Sequence, residues 1–330
     1  MMNPTAARIN EIAEGIKQGN RRALARGITL IESRKEEDQH AGQQLLEHML
    51  PHSGNSVRVG ISGVPGVGKS TFIEALGLDL TEQGHRVAVL AVDPSSPYSG
   101  GSIMGDKTRM QELTNSKSAF IRPSPTGGTL GGVARRTRES MLLCEAAGYD
   151  IVIVETVGVG QSEYEVADMV DFFLVMLLPG GGDELQGIKR GIIEVADMLV
   201  INKAEGDQLE LAKTARREYR RALKLVASDH DDPAEIMLCS ALQREGIREI
   251  WQQLEKLTQQ QKNDGRFDER RKQQLQSWLE KLTEQTLLQK FWQDEEVGRL
   301  FHTLQHKLES GEATPLQASR MMLERYLRDK

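Results

Sequence analysis

The chain has 330 residues, 38% hydrophobic and 27% charged, with a net charge of −6. That length holds one large α/β domain plus helical additions, and the composition is that of an ordinary globular protein. The acidic balance, with no long basic block, argues against nucleic acid and acidic membrane surfaces as partners, and two cysteines are too few for a disulfide framework.

Residues 1–54 read as a helical extension. Ile9, Ile12, Ala13 and Ile16 share a face that closes at Gly19; Leu24, Ile28 and Ile31 mark a second helix; Leu45, Leu46 and Leu50 mark a third, before Pro51, Ser53 and Gly54 break the pattern. The N-terminus lacks the apolar core of a signal peptide. The longest apolar run, Phe172 to Leu178, is too short to span a bilayer. The expectation is a cytoplasmic protein with no membrane partner.

From residue 55 to 261, short runs rich in Val, Ile and Leu alternate with helical segments. The runs are 56–61, 86–92, 119–122, 150–155, 172–178, 196–201 and 235–239. They are apolar on both faces, which predicts an α/β fold with a mostly parallel sheet covered by helices. Such sheets bind ligands at the carboxyl ends of their strands. Polar candidates fall at those ends: Gly63–Ser70, Asp93, Glu155 and Asn202.

The first of these, Gly63-Val64-Pro65-Gly66-Val67-Gly68-Lys69-Ser70, fits G-x-x-x-x-G-K-[ST] between a strand and a helix that opens with Thr71. Backbone N–H groups of Gly66, Val67, Gly68 and Lys69 can cradle phosphates where the helix dipole favours anions. Lys69 can reach the β- and γ-phosphates, and the Ser70 hydroxyl can hold Mg²⁺. The glycines do not spell G-x-G-x-x-G, which disfavours a dinucleotide fold.

The Ser/Gly-rich stretch from Asp93 to Met110 follows the second strand, and a loop of this kind can change shape when a γ-phosphate and Mg²⁺ arrive. Asp93 and Asp106 are its metal-side acids; a helix N-cap is the other reading of Asp106. The fourth strand ends in Glu155, with Gly158 three residues later, in the place of D-x-x-G. Glu155 can bind Mg²⁺ or one of its waters, and Gly158 can offer its N–H to the γ-phosphate. Val159 stands where many GTPases carry a water-orienting Gln, so slow intrinsic hydrolysis, accelerated by a partner, is expected. The loop Pro179 to Lys189 is the candidate relay, and Lys189 can swing onto the phosphates or serve as a surface lysine.

Asn202-Lys203-Ala204-Glu205 occupies the place of N-K-x-D, whose acid accepts guanine N1–H and N2–H₂ while the Lys stem packs on the base. Glu205 is one methylene longer than Asp. It either accepts both bonds after a small shift or blunts discrimination, with Asp207 a nearby substitute. Ser240, Ala241 and Leu242 match the loop that offers backbone N–H to guanine O6. Cys144 and Cys239 read as buried thiols, Arg135, Arg136 and Arg138 beside Glu139 as a solvated helix face, and Gly127-Gly128 with Gly131-Gly132 as a loop before that helix.

Residues 262–330 read as charged helices. Leu275, Trp278, Leu279 and Leu282 share one face, Leu300, Phe301, Leu304 and Leu308 another, and Leu316, Leu323 and Leu327 mark a last helix after Pro315. They either fold back on the domain or pair with a second chain.

The motif D-P-S-S-x-x-S-G-G-S-I-x-G-D-K-T-R-M at 93–110 resembles that of the MeaB/ArgK family of P-loop GTPases, in the SIMIBI class. So do G-V-P-G-V-G-K-S-T at 63–71, E-T-V-G-V-G-Q-S-E at 155–163 and G-G-G-D-E-L-Q-G-I-K at 180–189. The departure is Glu205 for the family's usual Asp. The resemblance implies a GTP- and Mg²⁺-dependent chaperone that gates cofactor loading into methylmalonyl-CoA mutase, or a related B12-dependent mutase, and protects it. Adenosylcobalamin would belong to that partner, and the chain would form a homodimer through its C-terminal helices (residues 262–330). An older family label describes a transport-protein kinase, against which the guanine signals at 202–205 and 240–241 count. An insertion GTPase for another metal or cofactor is the remaining alternative, which the lack of His/Cys clusters disfavours.

Overall fold

Seven runs apolar on both faces become the strands of one sheet: β1 (Val57–Gly63), β2 (Val87–Val92), β3 (Ala119–Arg122), β4 (Ile151–Thr156), β5 (Phe172–Leu177), β6 (Met198–Ile201) and β7 (Glu235–Leu238). The computed structural model describes residues 4–33, 35–92, 110–123, 130–156, 162–180, 190–226 and 234–328. The spatial order is β3-β2-β4-β1-β5-β6-β7, and every neighbouring pair is parallel. β2, β4, β5 and β6 are buried at every residue, as expected for strands covered by helices on both sides. The chain runs outward from β1 in both directions, so the carboxyl end of β1 lies at a topological switch point, where such sheets open a crevice.

Helices cover the two faces unequally. One face carries α4 (Lys69–Glu82), α5 (Gln111–Asn115) and α10 (Ile247–Asp264), which bury Phe72, Leu76, Leu113, Ile250 and Trp251 against the strands. The other carries α6 (Leu130–Ala146), α7 (Ser162–Ala167), α8 (Arg190–Glu194) and α9 (Leu209–Val226). Over α6 lies a further layer: α1 (Pro4–Lys17), α2 (Arg21–Glu32) and α3 (Glu36–Met49). The Asn20 side chain caps α2 by accepting from the N–H groups of Arg22 and Ala23. Leu45 and Leu46 are buried, but Leu50 lies half-exposed in the 3₁₀ turn Leu50–His52, where the α3 face has ended.

This extra layer overturns the reading of α6 as a solvated face. Arg138 and Glu139 are buried. The Arg138 guanidinium donates to the Asp168 carbonyl at 2.7 Å, and Glu139 accepts from Gln43 at 2.9 Å and from Arg135 at 3.1 Å. Burial lowers the Arg138 pKa to about 10, with Asp168 and Glu165 pulling the other way. Gly131 and Gly132 belong to the first turn of α6 rather than to a loop. Both cysteines are buried and free.

A charged staple fastens the far end of α6 to the start of β1. Glu145, its side chain 1% exposed, receives two hydrogen bonds from Arg58 (2.8 and 3.0 Å), one from the Ser56 hydroxyl (2.6 Å) and one from the Gly54 N–H (2.7 Å). Burial alone raises a carboxyl pKa. Here the Arg58 hydrogen bonds and charge, with Ser56 and Gly54, outweigh it and hold Glu145 below the ordinary carboxylate value.

By contacts the chain falls into two compact units, Met1–Asp268 and Glu269–Lys330. α11 (Arg266–Gln293) leads into the second, which also holds α12 (Glu295–Glu309), capped by the Asp294 side chain, and α13 (Pro315–Arg328). Its core is small: Val297, Leu304, Ala318 and Met322, with Phe291, Leu300, Phe301, Leu308 and Tyr326 packed around it. The leucines that mark the last helix in the sequence, Leu316, Leu323 and Leu327, are exposed, as are Leu275 and Leu279. α13 instead faces α12 with Ala318 and Met322. Among the described residues no helix is long and apolar enough to cross a membrane.

Replacing Arg58 by Met would leave a buried carboxylate without its countercharge, at a cost of about 3–5 kcal/mol. Because the folded Glu145 pKa is depressed, the pair's contribution is fully present above the unfolded carboxylate pKa. It is lost as the pH falls through the lower, folded value. Urea denaturation should therefore show a large gap between the wild type and Arg58→Met at pH 7 that narrows below about pH 4. A gap independent of pH would show that packing, not charge, holds the staple.

Candidate functional site

β1 ends at Gly63, and the chain turns through Val64–Gly68 before α4 begins at Lys69. Two of the glycines are demanded by their surroundings. A Cβ on Gly63 (φ 151°) would stand 2.6 Å from the Met176 carbonyl oxygen, and one on Gly68 (φ 98°) would stand 2.6 Å from the Asn202 amide nitrogen. Val67, fully buried, pins the middle of the loop, while Pro65, Gly66 and Thr71 are exposed. The Lys69 ammonium donates to the Gly63 carbonyl at 2.7 Å and to that of Val64 at 3.5 Å, which sets the cation inside the turn. A loop of N–H groups at the start of a 14-residue helix, closed by an ammonium, is an anion cradle.

Beside it, β4 delivers a carboxylate. The register pairs Ile61 with Glu155, one residue before β4 ends, and Glu155 is buried. The Ser70 hydroxyl donates to Glu155 Oε1 at 3.3 Å. Below them the Thr156 hydroxyl donates to Ser62 Oγ at 2.9 Å, a buried link between β4 and β1 that fixes where Glu155 leaves the strand. A hydroxyl and a carboxylate converging on the first turn of α4 are hard oxygen donors, suited to Mg²⁺. Asp93, Asp106, Gly158 and Lys189, together with Val159, lie outside the described residues.

The third part follows β6. Asn202 is 2% exposed and uses both ends of its amide: Nδ2 donates to the Val67 carbonyl at 2.8 Å, and Oδ1 accepts from the Ala241 N–H at 2.9 Å and the Cys239 thiol at 3.4 Å. One buried side chain thus ties the phosphate-type loop to the turn after β7. Lys203 takes a left-handed conformation (φ 59°) and is exposed, and the Ala204 N–H donates to the Cys239 carbonyl at 3.0 Å. Glu205 is half-buried, and its Oε2 is buried with no hydrogen-bond partner among the described residues. Asp207 sits exposed in the 3₁₀ turn Gly206–Gln208, so Glu205 is the acid that faces inward here.

The turn after β7 is closed by reciprocal backbone bonds between Ser240 and Glu245 and by Ser240 Oγ accepting from the Gln243 N–H at 3.0 Å. Ser240 and Ala241 are buried, and Leu242 stands at the tip, 77% exposed. The Cys239 thiol is pushed up to about 12 by burial, with the Glu205 charge adding to it, so it acts as a neutral donor and not as a nucleophile. Its bond to Asn202, and the Thr156–Ser62 link, were not legible in the sequence. The only signal was position: Cys239 directly precedes Ser240-Ala241, and Thr156 directly follows Glu155.

Residues 24–296 match the family model described as methylmalonyl-CoA mutase-associated GTPase MeaB. The chain is 46% identical over 319 residues to "GTPase ArgK" of Escherichia coli, covering 96% of both proteins. It is 49% identical over 316 residues to "Putative GTPase" of Caulobacter vibrioides, covering 96% of this chain and 97% of that one. It is also 45% identical over 329 residues to "Methylmalonic aciduria type A homolog, mitochondrial" of Mus musculus, covering 96% of this chain and 79% of that one. Among solved structures, "Crystal structure of LAO/AO transport system kinase" superposes with a TM-score of 0.78 at 39% identity, covering 99% of both chains.

Asn202→Ala should separate the two loops. It leaves the Val67 carbonyl and Ala241 N–H without their partner, a loss of about 1–3 kcal/mol for such buried groups. Titration with a fluorescent guanine nucleotide should then report affinity weakened about tenfold or more. Unchanged affinity would mean that the tie does not shape the site.

Proposed function

The chain belongs to the MeaB family of GTPases, and from that premise we propose that it is a chaperone of a B12-dependent mutase, methylmalonyl-CoA mutase or a close relative. In this role it gates the loading of adenosylcobalamin and protects the mutase. The observation that carries the nucleotide part is the Asn202 amide, which joins the Val67 carbonyl to the Ala241 N–H, together with a buried Glu205 oxygen that has no partner among the described residues. The mutase part is supported by the family description and by the mouse relative's name.

In this reading the N–H groups of Gly66, Val67, Gly68 and Lys69 receive the phosphates, and the Lys69 ammonium moves from the Gly63 carbonyl to the β- and γ-phosphate oxygens. Ser70 and Glu155, with Asp93 and Asp106, would hold Mg²⁺, which supplies charge neutralisation between the β- and γ-phosphates when bound. Gly158 reads the γ-phosphate, and Lys189 acts on it in the partner-stimulated reaction. Glu205 accepts the guanine N1–H and N2–H₂ pair, and the Lys203 stem covers the base. Asn202 already occupies the Ala241 N–H, so the N–H of Leu242, a residue at the exposed tip of the turn, is the donor for guanine O6 in this reading.

The unit Glu269–Lys330 supports the homodimer part of the reading. It exposes Leu275, Leu279, Leu287, Leu288, Trp292 and Leu327, an excess of apolar surface for 62 residues.

Turnover of GTP and ATP, alone and with purified methylmalonyl-CoA mutase, tests the proposal. Slow, GTP-selective hydrolysis that rises several-fold with the mutase is expected, and Lys189→Ala should lose the rise while keeping the basal rate. Hydrolysis of both nucleotides, indifferent to the mutase, would remove the chaperone reading and favour the kinase role in the name of the related solved structure.

A further inference from the structure

α9 carries a basic stripe that the nucleotide chemistry does not use. Between residues 210 and 221 the sequence holds Lys213, Arg216, Arg217, Arg220 and Arg221 against Glu210 and Glu218. Helical spacing sets the five cations on one side. The opposite side, Ala212, Ala215 and Tyr219, is buried in the core beneath. Arg217, Arg220 and Arg221 are exposed. Lys213 pairs with Glu210 at 2.7 Å and Arg217 donates to the Thr214 hydroxyl at 2.9 Å. Among the described residues none of the four arginines forms an ion pair.

Such a stripe opposes its own helix. Lys213–Arg217, Arg216–Arg220 and Arg217–Arg221 are like charges four residues apart, where repulsion is greatest, and one Glu–Lys pair offsets them. It is also out of keeping with a chain of net charge −6. An anionic occupant would relieve the repulsion.

We propose that the exposed arginine face of α9 is a docking surface for an acidic polypeptide segment of a partner protein. The chemistry selects protein over the other anions. A membrane-surface helix needs apolar side chains beside its cations, but here the apolar face is turned into the core, and Leu211 is the exposed apolar residue among the helix's described side chains. A nucleic-acid duplex carries its phosphates well beyond two helical turns and would run into the net negative charge outside the stripe, whereas a short acidic segment can be confined to the arginines. The stripe spans about 12 Å along the helix axis, two turns, which matches carboxylates spaced along a partner helix or strand. α9 starts directly after the 3₁₀ turn that follows Glu205, so the occupant would lie next to the base-side loop.

The test compares the full chain with Arg217→Gln/Arg220→Gln/Arg221→Gln and with the corresponding triple Glu variant, all three residues being exposed and outside the nucleotide site. The probes are 30-residue poly-L-glutamate, a 20-base-pair DNA duplex and vesicles with 30% phosphatidylserine, in 50 mM salt. Poly-L-glutamate should bind the wild type, about tenfold more weakly to the Gln variant and not measurably to the Glu variant, and the affinity should fall as salt rises. Equal binding to all three proteins, or no binding to the wild type, overturns the proposal. So does arginine-dependent binding of DNA or vesicles that matches or exceeds that of the polypeptide.

Discussion

The site depends on one buried amide. Asn202 is buried, and each end of its side chain satisfies a main-chain group on a different loop. The two loops hang from different strands, β1 and β7, with β5 and β6 between them. The sheet brings their carboxyl ends to the same edge, but parallel pairing does not fix the loops relative to one another. The amide does. It also explains why Gly68 must be glycine: the Asn202 nitrogen occupies the space that a Cβ would need. Phosphate-type loop, amide and base-side turn are therefore one object.

The cost of that arrangement is met away from the site. A sheet buried on both faces needs cover along its whole length, and α6 alone, with its arginines and glutamates, would expose charged groups over the apolar strands. The N-terminal helices complete the cover, and in the assembled layers Arg138, Glu139 and Glu145 are buried. Each acquires a partner: the Asp168 carbonyl, Gln43 with Arg135, and Arg58 with Ser56 and Gly54. A first helical layer that is polar on its outer side is stable under a second layer only because those pairs are satisfied.

The strands and the phosphate-type loop were legible because local chemistry dictates them. Runs apolar on both faces have few alternatives to a covered parallel strand, and the glycines of 63–68 are forced by backbone geometry that no other residue supplies. What the sequence could not show was which polar face would be covered. Arg135-Arg136-Thr137-Arg138-Glu139 has the composition of a solvated helix, and the cover comes from a segment about a hundred residues earlier. Of the C-terminal leucines, Leu300, Leu304 and Leu308 pack as their spacing predicts, whereas Leu275, Leu279, Leu316, Leu323 and Leu327 are exposed. Periodicity finds an apolar face but not its occupant, and within Glu269–Lys330 the seam is filled by Val297, Leu304, Ala318 and Met322. Cys239 was legible as a buried thiol, but not as a donor to Asn202, because that role depends on the distance between two strand ends.

Glu205 shows how the same geometry bears on selectivity. With Asp at this position the carboxylate would stand one methylene nearer its own backbone. With Glu it reaches further, and one oxygen is already buried beside the neutral Cys239 thiol. A thiol held neutral by burial adds no competing charge, and its hydrogen is committed to Asn202. Among the described residues that Glu205 oxygen has no donor, and in the proposed reading a guanine edge carrying two adjacent N–H donors would supply what the loop does not. Adenine presents a ring acceptor at N1 and would leave the buried oxygen unsatisfied, a penalty that falls on the wrong base without any added contact to the right one. In the proposed reading the longer side chain would keep the logic of the acid at this place while moving its point of contact. The turn at Leu242, held by Asn202 through Ala241, would then be the part of the site that meets the base.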